Sequence, residues 1–247
     1  MEKLLINTRG IVLHKVKYSE SSLIVKIFTE ELGLQSYIVK GISSKKGKFK
    51  LSYFQPMTLL DLVVYNKPNK SLQTIKELKI SHPYQSLSTF IEKQTVLIFL
   101  NEILYKIIRH ENVDKSLFQW VYQLIIWFDL QKEKSLNFHL FFLLQLTKFL
   151  GFYPKIPFGN KSNQIFDLQG GVFLSSPPFH PYYIDKTETL YFLELININL
   201  TNIIDYKITP IQRKKLLDIL ITYYQLHIPD LGKIKSLEIL RIISISS

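Results

Sequence analysis

Lys40-Gly41-Ile42-Ser43-Ser44-Lys45-Lys46-Gly47-Lys48 holds two glycines, two serines and four lysines in nine residues, directly after a strand-like run. Glycine lets backbone N–H groups approach phosphate closely and lysine supplies charge, so the stretch could cradle a nucleotide. Its spacing argues otherwise. A nucleotide-hydrolysing loop has four residues between its first glycine and the Gly-Lys pair, then Ser or Thr for magnesium. Here five residues separate Gly41 from Gly47, and Phe49 follows Lys48. The chain then runs through Ser52-Tyr53-Phe54-Gln55-Pro56 toward another strand, not into a helix whose N–H groups could face a phosphate. Lys40, Lys45, Lys46, Lys48 and Lys50 on a strand connection suit non-specific contact with the phosphates of a long polyanion, or plain solvation of a loop.

Other chemistry is sparse. His14, His82, His110, His139, His180 and His227 are scattered and form no HExxH pair, and neither GxSxG nor GxGxxG occurs. The chain has no cysteine, which excludes disulfides and thiolate metal sites. No residue set points to an enzyme. Charge is the stronger signal. Residues 1–80 carry fourteen Lys and Arg against six Asp and Glu, whereas residues 81–247 carry seventeen against fourteen. An excess concentrated in the first third favours a polyanionic partner. Arg9, Lys15, Lys17 and Lys26 extend the lysine cluster, and Tyr53 is the aromatic placed to stack a base among them. Strands alternate faces, so these cations are not expected to share one side.

The elements that must position them follow from periodicity. Residues 11–18, 22–29, 34–39, 57–65 and 71–80 are rich in β-branched and aromatic residues and partly alternate with polar ones. Five strands with short turns suit a small closed barrel of the OB type. From residue 87 apolar residues recur at three- and four-residue spacing, predicting helices near 90–110, 117–128, 136–150, 211–226 and 235–243. Glu92, Lys93, Glu102 and Lys106 are assigned to the wetter face of the first, and Gly151 to the end of the third. Residues 152–185, rich in proline, read as irregular or a hairpin. The expected fold is α+β: a barrel over residues 1–81, then a helical domain over 82–247. No secretory signal is visible and no apolar run is long enough to span a bilayer, which predicts a cytoplasmic, nucleoid-associated protein without a membrane partner.

Thr8-Arg9-Gly10-Ile11-Val12-Leu13, Tyr18-Ser19-Glu20-Ser21-Ser22-Leu23-Ile24, Phe28-Thr29-Glu30-Glu31-Leu32-Gly33 and Val39-Lys40-Gly41 resemble, in order, the N-terminal barrel of the RecO family. Phe149-Leu150-Gly151-Phe152-Tyr153-Pro154 is similar to the end of that family's central helix. Tyr223-Tyr224-Gln225-Leu226-His227-Ile228-Pro229, followed by Leu231-Gly232-Lys233, is similar to its C-terminal signature. The resemblance implies a bacterial recombination mediator that binds single- and double-stranded DNA, anneals complementary strands and catalyses nothing. It implies RecR as partner, RecA as the protein loaded, and the acidic C-terminal tail of single-stranded DNA-binding protein docking on the helical domain, for which Lys148 is the suggested contact. Many members carry a four-cysteine zinc site after the central helix. The corresponding residues 155–183 offer Asp167 and His180 but no cysteine, so no structural zinc and no other cofactor is expected. The rival readings are a protein-interaction scaffold whose lysines only solubilise it, and a nucleotidase or nuclease, which the missing motifs disfavour.

Overall fold

Alternating apolar and polar residues build β1 (Leu4–Ser19), β2 (Ser22–Thr29), β3 (Gly33–Lys40), β4 (Leu59–Asn66) and β5 (Gln73–Ile80). They close into a barrel in the order β1-β2-β3-β5-β4, antiparallel except for the β3–β5 pair, with β4 returning to β1. The computed structural model describes residues 4–42, 48–67, 70–108, 112–132, 136–156 and 164–245, so Lys45, Lys46 and His110 lie outside the described residues. β1 begins earlier than alternation alone predicts, because Leu4 to Ile11 pair in register with Asn66 to Leu59 and seal the barrel.

Inside it, Val12, Val25, Ile27, Tyr37, Leu62 and Val64 are among the buried residues that pack into one core. Gly10 is required there: a Cβ would come within 2.7 Å of Ile27 Cγ2 and Leu62 Cδ1. The outer wall of β1 and β2 is buried as well. Ile11, Leu13 and Phe28 are at most 1% exposed, yet they lie outside the barrel core. They are covered by α1 (Ile91–Ile107) and α2 (Lys115–Leu130). Phe118 meets Phe28 edge-on at 5.3 Å, and Asn101 Nδ2 donates to Leu13 O at 3.0 Å. By packing, residues 1–132 form one compact unit and residues 133–247 a second. The change of element type near residue 81 and the division of packing therefore fall at different places.

One expectation for α1 is corrected. Lys93, assigned to the wet face, is fully buried. Its ammonium donates to Ser86 Oγ at 2.7 Å, to Phe128 O at 3.1 Å and to Gln131 O, satisfying carbonyls that the end of α2 leaves unpaired. Asp129, also buried, accepts from the N–H groups of Gln85, Ser86 and Leu87 and bonds His82 Nε2 at 2.8 Å. Helical periodicity alone does not distinguish a lysine that crosses to a neighbouring helix end from one that faces water.

The second unit holds α3 (Phe138–Leu150), α4 (Lys186–Asn197), α5 (Pro210–His227), α6 (Leu237–Ile245) and a small sheet of β6 (Ile165–Asp167), β7 (Val172–Leu174) and β8 (Tyr183–Ile184) in the order β7-β6-β8. Gly151 ends α3 with a left-handed φ of 82°. Within residues 152–185, expected to be irregular or a hairpin, β6 and β7 form a hairpin held by packing: Phe166 is fully buried against Phe173, Phe192 and Tyr223. α4 was not among the expected helices, although Asp185 and Glu188 carry an N-terminal signature. The Asp185 carboxylate accepts from Glu188 N at 2.8 Å.

Candidate nucleic-acid interface

Residues opposite one another on paired strands project to the same side. Val16, Ile24, Ile38 and Thr74 stand in consecutive cross-strand register, and Tyr65 continues the row on β4. This row lies on the barrel's outer wall, since Val25, Tyr37 and Ile75 beside it point into the core. Val16 is 48% exposed, Ile24 and Ile38 are half-buried, and Tyr18 near the hairpin tip is 60% exposed. Lys26 and Lys40 project from the same wall on either side of the row. Lys26 is aligned with His14 and Ser36, and Lys40 with Ser22. Lys15 and Lys17 belong to the other side, opposite Val25 and Leu23. The structure thus distributes the expected cations over two sides, as strand alternation requires.

The strands that form this wall are predominantly cationic on both sides. Residues 14–26 and 36–40 contain four lysines and a single carboxylate, Glu20, which sits in the β1–β2 turn. Among the described residues no carboxylate is within ion-pair distance of Lys17, Lys26, Lys40 or Lys50. Lys15 Nζ bonds Gln55 Oε1 at 2.9 Å, and burial lowers its pKa. Burial, then the charge of Lys26, lowers that of His14. Lys48 and Lys50 are exposed. The Lys48 ammonium bonds the Lys76 carbonyl and lies 5.5 Å from the centroid of the Phe49 ring. Tyr53 is partly buried against the barrel core, which leaves only part of its ring to a ligand.

Arg9 is placed differently. Its guanidinium donates to both carboxylate oxygens of Glu30, at 2.8 and 2.7 Å, and lies 4.7 Å from the Tyr122 ring centroid. The bond to Glu30 raises the Arg9 pKa, and reciprocally the bond from Arg9 lowers that of Glu30. On this wall, formed by β1, β4 and β5, charges are paired: Lys79 lies 3.4 Å from Asp61, Lys76 3.6 Å from Glu77 and Lys115 2.6 Å from Glu31. The open groove of about 510 Å³ along it is lined by Arg9, Glu30, Glu31, Asp61, Glu77 and Lys79 among others. One barrel wall carries free positive charge and another carries neutralised pairs.

In the second unit Lys148 is exposed at the end of α3, its ammonium 4.6 Å from the centroid of the Tyr153 ring. The segments that carry the C-terminal resemblance meet in space. Phe152 stacks on His227 at 4.8 Å, and its carbonyl accepts from the Tyr223 hydroxyl at 2.6 Å. Tyr224 donates to Leu143 O at 2.7 Å. Their role here is to pack α5 against the end of α3. Among the described residues the donors present do not match a four-ligand zinc site. Asp167 Oδ1 already accepts from Gln169 N and Gly170 N and lies 3.4 Å from His180 Nε2, and no thiolate is available.

Residues 1–84 match the family model described as Recombination protein O N terminal, and residues 89–238 match Recombination protein O C terminal. The chain belongs to the RecO family. It is 39% identical to the DNA repair protein RecO of Flavobacterium psychrophilum over 238 residues, covering 96% of this chain and 98% of that one. It is 36% identical over 239 residues to the RecO of Bacteroides fragilis and 30% identical over 241 residues to that of Porphyromonas gingivalis, with the same coverage. As a RecO-family DNA repair protein it has the architecture the resemblance implied, a five-stranded barrel followed by helices. Of the candidate interface, the sequence exposed the lysines but not the apolar row between Lys26 and Lys40. The available signal was the alternation of Ile24 with Val25 and of Ile38 with Val39, which needs pairing register before it becomes a surface.

Proposed function

We propose that this RecO-family chain binds single- and double-stranded DNA through the outer wall of β1, β2 and β3, anneals complementary strands and, with RecR, helps load RecA onto strands coated by single-stranded DNA-binding protein. The observation that carries the reading is the row Val16, Ile24, Ile38 and Thr74 with the unpaired Lys26 and Lys40 on either side. Apolar side chains receive sugars and base faces of a single strand, while ammonium groups receive its phosphates, a combination that is tolerant of sequence. Lys15, Lys17, Lys48 and Lys50 extend the cationic zone, with Lys40, Lys45, Lys46 and Tyr53 supplying contacts along the connecting loop. Arg9 serves the interface indirectly, by holding the β2–β3 turn through Glu30.

The mechanism is exchange of binding partners, without catalysis. The ammonium of Lys93 is an instructive case, because its contact with Ser86 Oγ could suggest a serine activated by lysine. Its three N–H groups have Ser86, Phe128 and Gln131 as acceptors, so it caps a helix end and has no lone pair to offer as a base. The acidic tail of single-stranded DNA-binding protein is assigned to the helical part near Lys148, and the hairpin of residues 165–174 works without zinc. A cytoplasmic location at the nucleoid follows from this role; among the described residues no helix is long and apolar enough to cross a membrane. The deciding experiment is annealing of complementary strands pre-coated with cognate single-stranded DNA-binding protein. The chain is expected to accelerate it, and an unchanged rate with coated and bare strands alike would refute the reading.

A further inference from the structure

Between β8 and α5, wholly within the second unit, lies an open pocket of about 280 Å³. Leu168, Ile184 and Ile219 are buried and form its floor, while Tyr182 and Tyr183, partly exposed, stand at its rim. The charges beside it are matched within the chain: Lys215 Nζ lies 2.5 Å from Glu188 Oε1, and Arg241 pairs with Asp218. Just before the rim the chain carries Phe179, which is 113% exposed and so does not fold back into this pocket. Its loop is braced. Pro177, Pro178 and Pro181 fix their own φ angles, His180 Nε2 lies 3.4 Å from Asp167 Oδ1, and Tyr182 O accepts from Leu168 N at 2.9 Å. A large aromatic ring held in water by a rigid loop is an anchor whose ordering cost is already met before any partner arrives.

We infer that this face of the second unit joins two copies of the chain: Phe179 of each copy seats in the pocket between β8 and α5 of the other. Knob and hole lie two residues apart on one loop, so a single patch carries both, as a two-fold contact requires. The volume fits, since an apolar cavity of about 150 Å³ already holds a benzene molecule. The chemistry disfavours other occupants. Residues 174–184 contain no Lys or Arg, so Phe179 has no cation beside it in the chain to hold the phosphate of a stacked base. The matched charges leave no free polar anchor to orient a charged peptide, yet they let two identical patches meet without repulsion. Two Phe179 rings contribute about 400 Å² of buried surface. With the flanking tyrosines and prolines the contact reaches the order of 1,000 Å², the lower end for specific complexes, which makes the dimer reversible. Such a dimer carries two barrels on one particle and, on the annealing reading, raises the effective concentration of one bound strand near another.

The test is sedimentation equilibrium of the full chain between about 1 and about 100 µM, at low and at high salt. The wild type is expected to pass from one copy to two and stop there. Two chains of net charge +11 repel, so salt is expected to strengthen the pairing, the opposite of its effect on contact with DNA. Phe179→Ser is expected to weaken association about tenfold or more, and because the ring is fully exposed the melting curve stays in place. Thr222→Trp fills the pocket from the α5 side and keeps the knob, with a melting curve to check its folding. Homodimers of either variant lack both contacts, but a mixed pair regains one, so mixing the two is expected to restore association. A wild type that stays monomeric throughout, a Phe179→Ser chain that pairs like wild type, or a mixture no better than its components would overturn the inference. Growth beyond two copies also overturns it, in favour of a head-to-tail contact. Binding of single strands by a wild type that stays monomeric would leave the reading of the barrel wall standing while this one falls.

Discussion

Salt dependence measures how many phosphates the barrel wall neutralises. Lys17, Lys26, Lys40 and Lys50 are described cations on or beside that wall that neither pair with a carboxylate nor, as Lys15 and Lys48 do, bond a neutral oxygen. If each neutralises one phosphate of a single strand, at about 0.7 per phosphate, log K falls against log salt with a slope of about −3. From about 50 to about 200 mM salt, affinity then drops about fiftyfold. Lys26→Gln with Lys40→Gln removes the two cations of the outer wall while keeping much of their aliphatic stems. The slope is expected to become about −1.4, so the same change of salt costs only about sevenfold. Anisotropy titrations of a labelled oligothymidine at four or more salt concentrations give both slopes directly. An unchanged slope in the double variant would refute the placement of DNA on this wall, even if affinity itself fell. A flat response in the wild type would remove the electrostatic reading altogether.

Asp129→Ala leaves the Lys93 charge buried without its counter-charge and three N–H groups without an acceptor, a loss of about 3–5 kcal/mol; a fall in melting temperature of about 10 °C is expected, and a shift of a degree or two would refute it. Burial raises the Asp129 pKa, but the N–H groups of Leu87, Gln85 and Ser86 together with His82 more than offset this and hold it below the usual range. Its stabilisation is therefore present above the unfolded value near pH 4 and is lost as pH falls below that. His139 is fully buried, and burial followed by the charge of Arg213 pushes its pKa down to about 3. The unfolded chain takes up that proton below about pH 6.5, so the native state loses up to about 1.4 kcal/mol per pH unit there. His139→Leu should flatten this part of a melting-temperature profile between pH 7 and pH 5, and an unchanged profile would count against it. Gly10→Ala is expected to destabilise by about 1–3 kcal/mol through overpacking against Ile27 and Leu62, readable in urea melts. Chelators are expected to leave the melting curve unmoved, and a shift would reveal a structural metal.

The legibility of the sequence varied with the range of the interaction involved. Strand-like composition located all five barrel strands, and helical spacing located α1, α2, α3, α5 and α6, because both signals are local. The first residues of β1 were missed since their strand character comes from pairing with β4. Lys93 read as a surface residue because two of its three acceptors, the carbonyls of Phe128 and Gln131, lie at the end of α2, 35 and 38 residues further along the chain. Arg9 read as a free cation because nothing local announces Glu30. Lys26 and Lys40 were identified individually, but their shared wall and the row between them depend on register, which composition does not specify.

The barrel, finally, has two interiors. One lies within the strands; the other is the outer wall at Ile11, Leu13 and Phe28, sealed by Phe118 and its neighbours on α1 and α2. A truncation at residue 81 would keep every strand yet bare that second apolar surface and leave Arg9 without the rings of Tyr122 and Phe118. The smallest fragment expected to fold without aggregating is residues 1–132. The stability of β1 and β2 is thus tied to the two helices that cover them. A substitution in α2 that loosens Phe118 would reach the strands carrying Lys26 and Val16 through the outer face they share with Phe28.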